Sequence, residues 1–286
     1  MPSMFPYSIE VPIALFLSAV LAVLSVVDGQ QPETLSMLDT PLYAPSFPRD
    51  VRTRLEADLA STKAAYAKER NNADAGLAYA RAQLALGHIG DGLETLARAI
   101  EAKPEDGRLY LERAQALIVY RKFEPAERDA RKALETIPEA ACTLGLALYL
   151  RGDFTRSREA YTKCQTPGVF AYLADRRAGG HEMPRPDVSA IAEQAPPPDP
   201  RLPGSALPHA DKPKPTMTAG YIEAAEKIAA DPPPRHGHKH AAEDQLRVIV
   251  EKNENRWMEP VYIAAESDYA RMLKAEGKFK KAGRKK

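Results

Sequence analysis

One cluster in this chain has side chains that could hold a metal: His236, His238 and His240, with Asp244 one turn after His240. Neutral imidazole is a good ligand for a borderline-soft divalent ion such as zinc. A working site also needs partners behind the ligands and a rigid frame. Pro232, Pro233 and Pro234 stand next door and offer neither. The cluster therefore reads first as a polar, His-rich loop and only second as a weak metal candidate. His181-Glu182 lacks the second histidine of a zinc-protease helix, and the chain has no Gly-x-Ser-x-Gly elbow and no phosphate-binding glycine loop. The carboxylate pairs Glu56/Asp58 and Glu266/Asp268 have basic neighbours and read as solvated helix faces. No catalytic residue and no cofactor are expected, and the chain reads as a non-enzyme.

Composition narrows the remaining classes. The 286 residues include 40 Lys and Arg against 39 Asp and Glu, a net charge of +1. That balance argues against a nucleic-acid partner. The basic tail Lys278, Lys280, Lys281, Arg284, Lys285, Lys286 reads as a solubilising end. A hydrophobic fraction of 44% is enough for a packed core. Two cysteines exclude a disulfide scaffold or a Cys-rich metal fold.

Residues 11–27 form an uncharged apolar run, VPIALFLSAVLAVLSVV, and Val27, Asp28 and Gly29 at its end stand at the places a signal peptidase reads. This suits a signal-peptide core, with cleavage after Gly29. Residues 1–10 carry Glu10 and no Lys or Arg, so an uncleaved anchor, a membrane tether through 11–27, is the alternative. Either reading expects an exported, periplasmic or secreted protein. In an oxidising compartment Cys142 and Cys164 can pair, since they lie near opposite ends of one helical hairpin. The other reading is two buried small apolar residues.

The elements that must position any site repeat at 34 residues. Pro104 and Pro138 are 34 apart, as are Ala65, Ala99 and Ala133 in succession, and Ala80 and Ala114. Between these markers apolar residues recur every three or four positions, a helical period. Helices are expected over 73–86 and 90–102, then 107–120 and 124–136, each pair stopped by its proline. A third unit turns at Gly152, Asp153 and Phe154. Small residues recur at the helix crossings: Ala80, Gly92 and Ala99, then Ala114, Ala126 and Ala133, then Gly145, Ser157 and Cys164. Antiparallel helices interlock closely only where the crossing carries no bulk, and Leu96, Phe123, Phe154 and Tyr161 fill the holes beside it.

Over residues 73–165 this pattern resembles the tetratricopeptide repeat family, here as a bacterial exported member. The resemblance implies an all-α fold, a solenoid of antiparallel helix hairpins. The expected domains are a leader (1–29), an extended segment (30–49), a capping helix (50–72), the array (73–180), a Pro-rich linker (181–216) and degenerate repeat-like helices with the basic tail (217–286). The linker holds ten of the 25 prolines between Pro184 and Pro215. Ala270, Gly277, Phe279 and Ala282 reproduce the spacing of Gly145, Gly152, Phe154 and Ser157, so 260–276 reads as the first helix of a further unit.

By the same resemblance the first helix of each hairpin lines a concave wall. Its expected partner-binding positions are Leu77, Arg81, Leu84, Leu111, Gln115, Ile118, Leu146 and Tyr149. Family members that hold a C-terminal carboxylate use Lys, Arg and Asn in this groove. Leu77, Glu112, Glu139 and Thr143 stand there instead, which favours an apolar peptide or helix. Two occupants are in view: a partner protein or peptide, or residues 31–48 of the same chain, through Leu35, Leu38, Leu42, Tyr43 and Phe47. The function expected is that of a scaffold or adaptor. The alternatives are a metal-binding envelope protein using the three histidines and a membrane-tethered structural spacer.

Overall fold

The computed structural model describes residues 31–187, 216–230 and 237–279, the last without the side chains of 237–239. The chain divides into two compact units, 1–31 and 32–286. The apolar leader lies outside the described residues, as do 188–215 of the Pro-rich segment, His236 and the tail from Lys280 onward. The second unit is described below.

It begins with a minimal hairpin, β1 (Thr34–Leu35) antiparallel to β2 (Pro41–Leu42), and continues with α1 (Arg49–Lys68). Three helical hairpins follow: α2 (Ala73–Ala85) with α3 (Ile89–Ala102), α4 (Gly107–Val119) with α5 (Phe123–Leu134), and α6 (Ala140–Arg151) with α7 (Phe154–Tyr161). Then come α8 (Val169–Arg177), α9 (Met217–Ala230), α10 (Gly237–Lys252), a 3₁₀ turn (Glu254–Arg256) and α11 (Pro260–Ala275). The fold is all-α, and helices pack against their chain neighbours as in a solenoid.

Local signals start the hairpins. The Asn72 side chain accepts from the amides of Asp74 and Ala75, Asp106 from Arg108, and Asp153 from Arg156. Each satisfies donors that the first helical turn leaves unpaired. Inside each hairpin the chain reverses through a left-handed residue: Gly87 (φ 82°), Arg121 (φ 60°) and Gly152 (φ 87°). Arg121 takes a conformation that favours glycine, at a cost of about 1 kcal/mol or more.

The crossings carry no bulk. Ala80, Ala114, Ala126, Ala133 and Ser157 are fully buried, and Ala99 and Cys164 are nearly so. A Cβ on Gly92 would sit 2.6 Å from Leu84, and one on Gly145 2.8 Å from the Tyr161 ring. Ser157 Oγ uses the approach to donate to the Gly145 carbonyl at 2.7 Å. Leu96, Phe123 and Tyr161 are buried beside these crossings and Phe154 is half-buried.

Downstream of α7 the stack curves back on itself. α8 packs on α7 and α9, α9 pairs with α10, and α11 packs on α10, α9 and also α6. Residues 262–268 of α11 are buried at every position. A helix enclosed on all sides is a core element. Glu266 and Asp268, expected on a solvated face, are therefore in the interior at 0% and 1% exposure.

Candidate functional site

The concave wall does not lie open along its length. At its start the charged positions of adjacent first helices pair: Arg108 donates to Asp74 at 2.7 Å, and Arg81 to Glu112 at 2.6 Å. Leu77 is in the core with Ala73, Leu96 and Leu109 rather than facing a groove. Leu84 and Leu111 are half-buried. At the far end Ile118 is 3% exposed and Tyr149 0%. Tyr149 is covered by α9, its phenol oxygen 2.8 Å from that of Tyr221. As free contacts, Leu77 and Tyr149 are thus corrected: tertiary packing removes both.

A cleft of about 410 Å³ stays open between the wall and the entry to α11. Gln115 and Ile118 line it from α4, Cys142 and Leu146 from α6, Phe170 from α8, and Met258, Pro260 and Ile263 from the chain entering α11. Gln115 is exposed and Leu146 half-buried. Cys142 and Cys164 form a disulfide in the wall of this cleft, with Cα atoms 4.9 Å apart. The bond settles the two sequence readings of these residues. The cleft's size and apolar lining are those of ordinary ligand sites.

Two buried ionic clusters fix α11 as the cleft's outer edge. In one, Arg121 donates to Glu266 through Nε (3.1 Å) and Nη2 (2.6 Å) and to the Trp257 carbonyl (2.9 Å). Its guanidinium lies over the Trp257 ring, 5.4 Å from the centroid. The other Glu266 oxygen accepts from the Met37 amide, and Trp257 Nε1 donates to the Tyr43 carbonyl at 2.7 Å. In the second cluster Asp268 accepts from Arg177 (3.1 and 3.2 Å), from Arg271 and from the Tyr221 hydroxyl (2.8 Å). Burial alone would raise the Asp268 pKa, but the Arg177 and Arg271 charges outweigh it and hold the carboxyl at about 2. Burial, helped by the Asp268 charge, pushes Tyr149 up to about 12.

Residues 31–48 do not fill the cleft. The Ile89 amide donates to Glu33 at 3.0 Å, Pro45 lies against Gly87, and Leu42 is buried. Leu35 is 52% exposed, and Leu38, Tyr43 and Phe47 are half-buried. The segment runs along the first hairpin turn and over Trp257, so α11 covers the wall in its place.

Of the histidines, His236 and the His238 side chain lie outside the described residues. Residues 237–240 open α10 instead of forming the expected loop. His240 is exposed, with Nδ1 3.8 Å from Glu243. Among the described residues no group of His, Cys, Asp and Glu could hold a metal, and no helix is long and apolar enough to cross a membrane.

No protein-family profile matches the chain. Over 76 residues it is 33% identical to the protein SGT1 homolog of Bos taurus. That stretch is 26% of this chain and 22% of the bovine protein, so the chain matches about a fifth of its relative's length. By fold this is an all-α protein of stacked helical hairpins, with a short likeness to an SGT1 homolog and an apolar cleft beside its first helices.

Proposed function

We propose that this chain is a tetratricopeptide-type scaffold that works without catalysis and binds another polypeptide through the apolar cleft. The carrying observation is that pocket: the wall's charges are paired and its far end is sealed, while Gln115, Leu146 and Phe170 face an unfilled apolar space. A large apolar side chain of a partner would enter it, with Gln115 and Thr143 at hand for the partner's polar groups. The small-residue crossings and the likeness to an SGT1 homolog support a repeat protein of this kind.

An exported location fits the same reading. The 11–27 run would direct the chain out, and the Cys142–Cys164 bond suits an oxidising compartment. Residues 1–29 would then act as a signal or a tether. Photo-crosslinking from position 115 in native cells, with the adduct identified by mass spectrometry, tests the reading. Leu146→Glu is expected to abolish the adduct while circular dichroism stays unchanged. An adduct that persists in the Leu146→Glu protein would count against the cleft.

A further inference from the structure

A second pocket, of opposite chemistry, lies at the first hairpin. It has a volume of about 800 Å³ and sits where the end of α1 and the turn after it meet α2 and the last turns of α3. Tyr66 and Tyr79 form its floor, their rings stacked with centroids 5.5 Å apart and planes at 26°. Lys63, Arg70 and Arg98 line it as exposed cations, and Glu101 is the carboxylate among them. Arg98 contacts Glu94, whereas Lys63 and Arg70 have no carboxylate partner among the described residues. Counting Glu94, the partner of Arg98, the pocket and its rim carry a net charge of +1, with Lys63 and Arg70 as the cations left for a ligand.

We infer that this pocket binds an acidic peptide segment of a partner, distinct from the apolar cleft. The cations would meet side-chain carboxylates, and the tyrosine floor would take a flat or apolar residue between them. Glu101 would accept from the backbone amides of such a segment, donors that a bare phosphate or sulfate lacks. The opening also far exceeds what one inorganic ion fills.

The test uses the full chain and a fluorescein-labelled Glu-Glu-Phe-Glu-Glu peptide followed by fluorescence anisotropy. Saturable binding is expected, weakening with added salt. Arg70→Glu and, separately, Lys63→Glu should each lower affinity about ten-fold or more without shifting the melting temperature. Lys122→Glu makes the same change of net charge at an exposed position outside the pocket and should leave affinity unaltered. Leu146→Glu should also leave it unaltered, so the two sites can fail independently. Absence of saturable binding, an equal loss in Lys122→Glu, or full displacement of the peptide by inorganic phosphate would overturn the inference.

Discussion

Arg121 and Glu266 are 145 residues apart in the chain, yet Nη2 of the first lies 2.6 Å from Oε2 of the second, and both side chains are buried. Arg121 stands in the left-handed turn position that Gly87 and Gly152 hold in the neighbouring hairpins. Glycine would relieve the backbone there, but it could not reach Glu266. The side chain's ion pair, its bond to the Trp257 carbonyl and its stacking on that ring offset the strain.

Glu266→Ala should therefore cost about 3–5 kcal/mol, because it leaves the Arg121 guanidinium buried without its carboxylate. Arg121→Gly should cost less than the matching single loss, since backbone relief returns about 1 kcal/mol. Urea unfolding followed by fluorescence of Trp257, the one tryptophan, measures both. Equal stability of wild type and Glu266→Ala would mean that α11 is not held by this pair.

Asp268 sets an acid limit. Its folded pKa of about 2 lies below the ordinary 3.8, so its contribution is complete above pH ~4 and is lost as pH falls through the folded value. The depression corresponds to about 2 kcal/mol. Thermal melts across this range should show a steep acid limb in the wild type. Asp268→Asn should be less stable at neutral pH and show a shallower limb.

The glycines separate close approach from mere flexibility. Gly145→Ala drives a methyl into the Tyr161 ring at 2.8 Å and should destabilise by about 1–3 kcal/mol. Gly90→Ala meets nothing within 4 Å and lies in α3. It should be neutral or stabilise by up to about 1 kcal/mol. Calorimetric melting temperatures moving in the same direction for both would contradict the nested crossings.

The disulfide closes the α6–α7 hairpin over 22 residues. The paired Cys142→Ser, Cys164→Ser variant should lose about 3 kcal/mol relative to the oxidised protein. Thiol titration of the unfolded wild type should give no free thiol before reduction and two after it.

The parts legible in the sequence are local and periodic. Ala80, Ala99, Ala114 and Ala133 mark helix crossings because such contacts recur at a fixed interval along the chain. The caps at Asn72 and Asp106, 34 residues apart, obey the same rule. What the sequence does not carry is where the stack ends up. Residues 260–276 have a repeat-like spacing, and α11 does pack beside α10 as a next first helix would. Its contact with α6, and the arginines awaiting Glu266 and Asp268, depend on curvature summed over several hairpins. For that reason the two acids read as surface residues and Tyr149 as an open contact. The residues of the cleft missed by sequence reasoning, Phe170, Met258, Pro260 and Ile263, come from these late elements. A buried-length apolar run at Val261–Ala265 beside paired acids was the available signal for α11.

The cleft itself admits one direct measurement. A peptide bearing a large apolar residue, selected from a displayed random library on the full chain, is titrated against wild type and Leu146→Glu by calorimetry. A charge in the apolar wall should weaken binding at least ten-fold, roughly 1.4 kcal/mol, with helicity unchanged. Unaltered affinity in a folded Leu146→Glu protein would contradict the assignment of this cleft as the scaffold's binding site.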